Sequence, residues 1–489
     1  MHDVLLAVDI GTTNVKGAIF PPEGSPASAS KRISLEIDSA LGTAEQDPEE
    51  IAQAVFSVIK ELASKVHGRV GAVAFSSQMH ALGTLSRSGR PKTKLLTYFD
   101  TRAAPLAREV EKVGYELYLE TGCPPLHVYP LAKILYLKSR GAVESGDRFL
   151  LSAKDYVLLK LTGEHVLDLP TASGSQLLDV KRLRWSGLAL SLAGLDESSL
   201  PRLVEGEEPL PVTREAAEQL GLPSGTPVYP GVSDAAANQL GVGATREGEL
   251  AVNLGTSAAV RALSEQTIFD DERMRFFVYY AGKGRWLIGG AVNNGGIVLE
   301  WLASNFLQAE VEYARLASAP LGDLLDRVIS SSPPGARGLV VLPFLAGGER
   351  FPVRSSAARG LIYGLSLAIT RADIARAMLE GVAFTLRWIY SAMLERGVKK
   401  ARLLRVGGGA ASLRSWRQIL ADVFEASVCY SPGEESALKG LYTYIRGSEV
   451  EGCGEILEPS AEGVATYRRV FEEYVQLCEL VKAAKWAWR

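Results

Sequence analysis

The chain has 489 residues, of which 47% are apolar and 22% charged, and its formal net charge at pH 7 is −3. A chain longer than the ~250–300 residues at which one hydrophobic core stops growing is expected to form two domains. The slight acidity and the absence of a long basic run argue against nucleic acid or an anionic membrane as a partner. No stretch approaches the ~20 apolar residues that span a bilayer.

The cysteines and the first residues bear on location. Cys123, Cys429, Cys453 and Cys478 are scattered and form no CxxC pair, which favours a reduced cytosolic protein over a disulfide framework or a zinc site. The opening MHDVLLAVD contains no basic leader, so we expect neither a signal peptide nor a membrane anchor. Asn and Gln are sparse, a weak hint of a thermophilic source. The expected location is the cytoplasm.

The first predicted element is a strand that ends in a carboxylate. Leu5–Val8 is an apolar run typical of a strand buried on both faces, and Asp9 closes it. Gly11 is expected to adopt backbone angles that a side chain would forbid, and Thr12 and Thr13 offer hydroxyls and amides in a tight loop. The loop matches neither GxxxxGK[ST] nor GxGxxG. It is either an ordinary hairpin turn or a phosphate cradle of another kind.

A helix, a strand and a polar cluster follow. Pro48–Lys65 has apolar residues at helical spacing and begins with Pro then Glu, a good N-terminal signature. Val70–Phe75 is a predicted strand, and SSQMH comes directly after it. Gln78 and His80 could contact a polyol there. The alternative is a buried His80 whose hydrogen bonds are satisfied within the protein.

A second carboxylate stands at the end of the predicted strand Pro227–Val232. Asp234 is followed by the small residues Ala235–Ala237, which leave room for a ligand. A carboxylate in this position could accept a hydroxyl proton during phosphoryl transfer. An Asp that only caps the following helix explains the pattern equally well.

The segment ELAVNLGTSAAVRAL repeats the design of the first hairpin. Asn253 stands where Asp9 stood, and Gly255, Thr256 and Ser257 follow. The recurrence predicts two similar domains, each offering a hydroxyl-lined loop to a shared cleft that could hold a polyphosphate. The boundary is predicted near 241–248, giving domains 1–244 and 245–489.

Strands and helices alternate along the chain, which argues for α/β layers. Further strands are predicted at Tyr156–Leu161, Trp286–Gly290 and Leu339–Phe344, and helices at Arg371–Tyr390 and Leu413–Phe424. Three glycines at 407–409 precede the last of these helices. They would let a flat ligand or a phosphate approach the backbone at a helix start, although a tight turn is the plain alternative.

Together these motifs resemble the FGGY carbohydrate kinases over residues 4 to 445. The motifs, in the family's order, are DIGTT (9–13), SQMH (77–80), YFDTRA (98–103), GVSDAAANQLG (231–241), NLGTS (253–257), GLSLAITRADIARAMLEGVAF (364–384) and VGGGAAS (406–412). The resemblance implies a duplicated actin/hexokinase-like (ribonuclease H-like) α/β fold, with ATP and sugar in a cleft between two domains. It also implies a sugar kinase that uses ATP and Mg²⁺, and a homodimer is among the expected assemblies.

The resemblance also assigns roles. Asp234 is the expected catalytic base, and it shares the expected Mg²⁺ site with Asp9. Nucleotide binding is expected from Gly11, Thr12, Thr13, Lys16, Gly255, Thr256, Gly296, Gly408, Gly409 and Ala410. Sugar binding is expected from Gln78, Met79, His80, Asp100, Arg102, His127 and Asp234.

Several segments indicate which sugar is phosphorylated. AEQDPEEI (44–51), the PxxH at 124–127 and GGAVNNGGIVLEWL (289–302) look like the gluconate kinase branch. SQMH is similar instead to xylulose kinases, and AGGERFPVRSS (346–356) departs from the family's usual pattern. We expect conversion of D-gluconate to 6-phosphogluconate, with Arg102 as a cation for the substrate's carboxylate and Asn293 and Asn294 as further donors. The alternative for Arg102 is that it only pairs with Asp100 to brace the loop. Xylulose or another pentose or polyol is the alternative.

A different class of protein shares part of the pattern. A nonenzymatic actin-fold ATPase that switches a protein partner would also have two hairpins and a glycine loop. Asp234 behind small residues and the polar SQMH strand end favour an enzyme, because a switch needs no polyol site.

Overall fold

A computed structural model describes residues 4–20, 27–66, 69–346, 348–355, 357–430, 435–447, 452–484 and 488. The chain divides into two compact units. The first contains Met1–Gly243, Glu265–Leu287 and Glu435–Val450, and the second contains Ala244–Ser264, Ile288–Glu434 and Glu451–Arg489. Segments 265–287 and 435–450, which the sequence places in the second domain, therefore lie in the first unit.

The strands are short in both units. They are β1 (Val4–Ile10), β2 (Asn14–Phe20), β3 (Ala27–Arg32), β4 (Glu36–Asp38), β5 (Thr43–Gln46), β6 (Val70–Ser77), β7 (Gly83–Leu85), β8 (Leu95–Leu96), β9 (Arg148–Leu150), β10 (Val166–Asp168), β11 (Leu178–Asp179), β12 (Arg184–Trp185), β13 (Arg202–Val204), β14 (Leu210–Pro211), β15 (Pro227–Ser233), β16 (Glu249–Leu254), β17 (Ala258–Ser264), β18 (Phe277–Gly282), β19 (Arg285–Val292), β20 (Val340–Leu342), β21 (Leu361–Tyr363), β22 (Leu403–Gly407), β23 (Ser427–Tyr430) and β24 (Glu455–Leu457).

The helices lie between these strands, in places as two or three in succession. They are α1 (Pro48–Lys65), α2 (Ala104–Glu111), α3 (Gly114–Thr121), α4 (Pro130–Ser139), α5 (Ala153–Thr162), α6 (Leu169–Ala172), α7 (Gly187–Ala193), α8 (Arg214–Leu220), α9 (Asp234–Gly241), α10 (Gly296–Asn305), α11 (Gln308–Ala317), α12 (Leu321–Ser330), α13 (Arg371–Glu395), α14 (Arg414–Phe424), α15 (Ser436–Arg446) and α16 (Ala461–Ala483).

The two main sheets share a local topology. In the first unit the order is β14-β15-β6-β1-β2-β3, with β1 parallel to β6 and antiparallel to β2. In the second unit five strands lie in the order β17-β16-β22-β23-β24, with β16 parallel to β22 and antiparallel to β17. The predicted duplicated α/β fold is confirmed, since each unit has a hairpin whose first strand runs parallel to a buried neighbour.

Helix α1 shows how the sequence builds the first layer. Asp47 caps it by accepting from the Glu49 amide, and Pro48 occupies the first turn, where its missing N–H costs nothing. The buried face includes Ile51, Val55 and Leu62, which join the core cluster under the first sheet. The helix therefore covers the sheet beneath the predicted phosphate hairpin.

Helices α9 and α15 are in unusually close contact within the first unit. A Cβ on Gly241 of α9 would lie 1.7 Å from the Ser436 carbonyl oxygen, and one on Gly440 of α15 would lie 1.8 Å from that of Ala237. Because no side chain fits at either position, the two glycines set the distance between the helices. Helix α15 thus supports the helix that begins at Asp234.

Two expectations are wrong. Tyr156–Leu161 belongs to helix α5, because Ser152 and Asp155 form a capping box ahead of it and its apolar run is buried on nearly every side. Such a short apolar run does not separate strand from helix. Cys429 and Cys453 form a disulfide with a Cα separation of 5.4 Å, since the antiparallel pairing of β23 and β24 brings them together. Cys123 and Cys478 are buried thiols.

None of the helices in the described part of the chain is both long and apolar enough to cross a membrane.

Candidate active site

Three parallel strands of the first unit end at one edge of their sheet, and predicted functional residues lie there. Asp9 of β1 is opposite Ser76 of β6, and Ser76 is opposite Val232 of β15. Asp234 follows two residues after Val232. The carboxyl edge of parallel strands is where α/β proteins bind ligands, and two carboxylates meet at that edge here.

Asp9 has the properties of a cation ligand. Its Oδ1 accepts from the Ser76 hydroxyl at 2.6 Å. Burial raises the pKa of Asp9, while the Ser76 hydrogen bond and the nearby Lys16 and Lys154 ammonium groups oppose the rise. A partly desolvated carboxylate with one hydroxyl donor suits Mg²⁺, which binds to one or two carboxylates and completes its shell with phosphate and water. In the described residues, no group of three or more His, Cys, Asp or Glu could hold a metal.

Asp234 is not the cap of its helix. Ser233 occupies the N-cap position, and its hydroxyl accepts from the Ala236 amide at 3.3 Å. Asp234 is the first helical residue, and its Oδ1 accepts from the Ala235 amide at 2.7 Å. Because Ser233 performs the capping, the carboxylate of Asp234 has no structural need to cap and is partly exposed.

A buried ion pair that sequence reasoning missed lies behind these carboxylates. Lys154 and Asp168 are both fully buried, with Nζ 2.6 Å from Oδ2, and Lys154 also donates to the Val232 carbonyl at 3.0 Å. Burial lowers the pKa of Lys154, while the Asp168 and Asp234 carboxylates favour its charged form. Lys154 therefore places a positive charge near both Asp9 and Asp234. A lysine inside the apolar run LLSAKDYVLL was the signal that could have identified it.

The first hairpin joins strands β1 and β2. Gly11 does not adopt a positive φ, so the expected special backbone angles are absent. Its amide donates to the Asn14 carbonyl at 3.0 Å, and a Cβ would lie 3.1 Å from that oxygen. Thr12 is partly exposed, Thr13 is exposed, and Lys16 lies opposite Asp9 in the hairpin. The loop is tight and presents hydroxyl groups, as a phosphate cradle requires.

Gln78 connects this hairpin to strand β5. Its Oε1 accepts from the Thr12 hydroxyl at 3.0 Å, and its Nε2 donates to Gln46 Oε1 at 2.5 Å. Gln46 in turn donates to the Thr12 carbonyl at 2.8 Å. Gln78 and the neighbouring Met79 are buried. The predicted sugar residue Gln78 is thus a bridge to the phosphate hairpin.

His80 lies in a strained and aromatic setting. Its φ is 68°, a left-handed value that only a few per cent of non-glycine residues adopt. The Nδ1 atom lies 2.8 Å from the Gly174 carbonyl oxygen, and the ring packs edge-on against Tyr129 and Tyr279. His80 is partly exposed, so it is not the buried histidine of the plain alternative. His127 lies two residues before Tyr129, in the turn that leads into α4.

Asp100 and Arg102 contact each other, and their role as sugar ligands stays a prediction. Asp100 is fully buried, and its Oδ2 accepts from the Ala44 amide at 3.1 Å. Arg102 donates from Nε and Nη2 to Asp100, and from Nη2 to Glu45 as well. Burial alone lowers the pKa of Arg102, but these carboxylates outweigh it and raise that pKa. The sequence does not reveal that Glu45 shares the guanidinium, and the three side chains brace this loop.

In the second unit, three predicted nucleotide loops pack against one another. Gly296 donates from its amide to the Gly255 carbonyl at 2.6 Å. Gly408 has φ 95°, and a Cβ there would lie 2.5 Å from the Leu254 carbonyl oxygen. The Ala410 Cβ lies 3.3 Å from where a Cβ on Gly296 would stand. The hairpin, the NNGG turn and the glycine loop therefore form one cluster built on close backbone contact.

The surface of this cluster is open. Gly409 has open space where a Cβ would stand, and Thr256 is exposed. The Thr256 carbonyl accepts from the Gly295 and Ile297 amides, both at 3.2 Å. At Gly255 a Cβ would have only ordinary contacts, with Asn253 Nδ2 and the Ser257 carbonyl oxygen at 3.5 Å. The protein itself therefore has no steric need for glycine at 255.

The helix after the glycine loop does not offer a phosphate site. A short 3₁₀ turn at Gly409–Ser412 comes first, and α14 begins at Arg414. The amides of Arg414 and Ser415 already donate to the Asp326 carboxylate, at 2.9 and 2.8 Å. Asp326, from a distant part of the chain, therefore occupies the first two amides of α14, and the approach of a nucleotide to the glycine loop itself stays a prediction.

The two asparagines of the NNGG segment are also engaged within the protein. Asn294 donates to Glu349 Oε2 at 2.8 Å and accepts from the Ala346 amide at 2.7 Å. Asn293 accepts from Arg350 Nε at 2.7 Å. These contacts hold the NNGG turn to the AGGERFPVRSS segment, of which residues 347 and 356 lie outside the described residues.

Comparison with known proteins identifies the family. Residues 4–241 match the N-terminal domain of the FGGY family of carbohydrate kinases, and residues 250–441 match its C-terminal domain. A gluconokinase of Bacillus subtilis is 31% identical, with 99% of this chain and 97% of that protein covered.

Solved structures agree with this match. A gluconate kinase from Lactobacillus acidophilus superposes with a TM-score of 0.89 at 29% identity, covering 98% of this chain and 99% of that one. A xylulose kinase from the same organism gives 0.90 at 30% identity, covering 99% of both. The chain belongs to the FGGY family of carbohydrate kinases.

Proposed function

We propose that this protein transfers the γ-phosphoryl group of ATP to the terminal hydroxyl of D-gluconate, giving 6-phosphogluconate and ADP. The substrate assignment rests on the full-length similarity to a gluconokinase at 31% identity, above the 28% found for a xylulose kinase of the same organism. The NNGG segment supports it less than the sequence suggested, because Asn293 and Asn294 are engaged with Glu349 and its neighbours.

Asp234 is proposed as the general base. The observation that carries this role is that Ser233 caps helix α9, which leaves the Asp234 carboxylate at the same sheet edge as Asp9 without a capping role. Asp234 accepts the hydroxyl proton as the sugar oxygen forms a bond to the γ-phosphorus. The bond from that phosphorus to the β,γ-bridging oxygen breaks, and ADP leaves with its electron pair.

The charges around Asp234 suit this role. Lys154 is buried and paired with Asp168, and the Asp234 carboxylate favours its charged form, so the two groups attract each other. Asp9, with Asp234, would hold Mg²⁺, which would neutralise the charge of the phosphates. In the first unit, the Thr12 amide and the Thr13 amide and hydroxyl are proposed to donate to phosphate oxygens, since the Thr12 hydroxyl donates to Gln78.

The second unit is proposed to hold the nucleotide. Its open cluster of Gly255, Thr256, Gly408, Gly409 and Ala410 offers backbone amides to phosphate and a flat surface to the adenosine. The close backbone contacts at Gly296 and Gly408 pre-organise this cluster before ATP binds.

Xylulose is the second candidate substrate. Gln78, Met79 and His80 resemble the sugar site of xylulose kinases, and the TM-score to a xylulose kinase is as high as that to a gluconate kinase. Arg102 gives gluconate little extra support, since Asp100 and Glu45 already share its charge.

A substrate panel separates the two. ADP release would be measured with gluconate, xylulose, ribulose and glycerol, and the product identified by ³¹P NMR. We expect kcat/KM for gluconate to exceed that for every other sugar by at least tenfold. A tenfold preference for xylulose would replace gluconate as the substrate, and ADP release that does not depend on any sugar would overturn the proposed reaction.

We place the reaction in the cytoplasm, where ATP is available. A disulfide such as Cys429–Cys453 persists in that compartment mainly in hyperthermophiles, in agreement with the scarcity of Asn and Gln. The homodimer stays a prediction, which the mass of the protein in solution would test.

A further inference from the structure

Lys133 of helix α4 is a fully buried lysine whose ammonium group bonds only to backbone. Its Nζ donates to the carbonyl oxygens of His80 at 2.5 Å, Thr97 at 2.7 Å and Leu96 at 3.2 Å. The side chain is 0% exposed. The three N–H groups of the ammonium ion thus donate to three carbonyl oxygens, which satisfies all of its donors. A neutral amine has only two N–H groups and would leave one carbonyl without this donor.

These carbonyls belong to the two segments that carry most of the predicted sugar residues. His80 closes the SQMH segment, and Thr97 opens the turn that contains Asp100 and Arg102. The Thr97 carbonyl also accepts from the Asp100 amide at 3.0 Å. A single side chain is therefore bonded to both segments.

The strain at His80 shows why such a bond matters. The left-handed φ of 68° is unfavourable in a residue with a side chain and persists only where the surroundings impose it. The short bond from Lys133 fixes the peptide that follows this angle. Without it, the His80 ring would be freer to leave Tyr129 and Tyr279.

From this geometry we propose that Lys133 is a positioning residue for the sugar site, which holds the SQMH and YFDTRA segments together and so sets sugar affinity, while leaving ATP binding alone. The proposal rests on the proposed sugar kinase activity and on the expectation from the sequence that those two segments line the sugar site. It does not depend on which sugar is phosphorylated.

The charges that face Lys133 are few. Asp100 favours its charged form and Arg102 opposes it, and Glu45 shares the Arg102 guanidinium. The His80 imidazole is a further titratable group near Lys133, because Lys133 donates to the His80 carbonyl. On α2, which packs against α4, Arg108, Glu109 and Glu111 are exposed, and α7 has no titratable side chain.

This setting makes the sugar site sensitive to pH. Burial lowers the pKa of Lys133 to about 7. Above that pH a neutral amine has two N–H groups for three carbonyls, so one contact is lost and the KM for sugar should rise. Folding stability should rise with pH over the range in which sugar affinity falls. The unfolded lysine titrates near 10.4, so the unfolded state binds more protons than the folded state from about pH 7 to 10. The contribution of this group to the free energy of unfolding therefore increases with pH in that range.

The test compares Lys133→Met with Lys138→Met. Lys138 is a matched control, since it lies on the same helix and donates to the Ala193 and Gly194 carbonyls at 2.7 and 2.8 Å, away from both sugar segments. With whichever sugar the panel identifies, Lys133→Met should raise the sugar KM about tenfold or more, because sugar binding would then have to order the two segments that Lys133 holds in place. Its ATP KM should stay within about twofold of the wild type. Lys138→Met should leave both constants unchanged.

A third variant keeps the proposal testable if Lys133→Met does not fold. Lys133→Gln retains two donors and does not ionise, so the rise in sugar KM from pH 6 to 8.5 should be present in the wild type and absent in this variant. Three results would overturn the proposal. The first is an unchanged sugar KM in Lys133→Met, and the second is an equal rise of the sugar KM and the ATP KM in that variant. The third is a pH dependence of the sugar KM that persists in Lys133→Gln, which would assign it to His80.

Discussion

Replacing Gly255 by Ala should weaken ATP binding without destabilising the protein. The new methyl group would lie 3.5 Å from its nearest neighbours, which is ordinary contact, and the backbone has no positive φ. Such a substitution stabilises by about 0.4–1 kcal/mol because the unfolded chain loses freedom. If the backbone here donates to a phosphate, the methyl group blocks the approach. The loss of one hydrogen bond to a charged group, about 1.5–3 kcal/mol, corresponds to a roughly 10- to 150-fold higher Kd for ATP.

Gly408→Ala is the matched control in the same cluster. Here φ is 95° and ψ 158°, a region open almost only to glycine, and the methyl group would lie 2.5 Å from the Leu254 carbonyl oxygen. We expect a loss of about 1–3 kcal/mol from backbone strain alone. Calorimetric titration with ATP and urea unfolding would be run on both variants. The reasoning is refuted if Gly255→Ala binds ATP like the wild type, or if it loses as much stability as Gly408→Ala.

The remaining predictions concern catalysis, specificity and the disulfide. Asp234→Ala should lower kcat by about 10²–10⁴-fold while the Kd for ATP from calorimetry stays within about twofold; a variant that keeps a tenth of the wild-type kcat would show that Asp234 is not the base. Arg102→Leu leaves Asp100 and Glu45 without their cation, so KM should rise alike for gluconate and xylulose in steady-state assays, whereas a loss confined to gluconate would make Arg102 the carboxylate receptor. Cys453→Ser should lower the free energy of unfolding by about 3 kcal/mol, because it opens a loop of 24 residues; equal unfolding curves for variant and oxidised wild type would contradict the crosslink.

The parts of the fold that the sequence predicts well are local. The hairpin after Leu5–Val8 follows from an apolar run, a carboxylate and small polar residues that sit next to one another in the chain. Helix α1 follows from its spacing and its proline, and its bounds match the prediction. Tyr156–Leu161 fails because a short apolar run buried on nearly all sides has no period. The disulfide fails because the pairing of β23 and β24 depends on contacts between distant segments.

The site was predictable where residue type alone indicates chemistry. Asp9 and Asp234 could be predicted because both stand at the ends of strands that are recognisable in the sequence. The parallel pairing of these strands with β6 brings both residues to one sheet edge. Burial is not visible, so the sequence does not show that Asp100 has no exposed surface and accepts from the Ala44 amide. The lysines at 133 and 154 escaped notice because charge inside an apolar run usually marks a solvated face, and only the packing shows that both are enclosed.

The path of the chain through α15 has a consequence for synthesis. Helix α9 ends at Gly241, but helix α15, which covers it, begins at Ser436, about 200 residues later. At a synthesis rate of ~5–20 residues per second, α15 is therefore made roughly 10–40 s after α9. During that interval the surface around Gly241 and Ala237 has no partner from its own unit. Products truncated before Ser436 would keep this surface uncovered and should be held by chaperones or degraded. A circular permutation that translates α15 ahead of β1 would remove the delay.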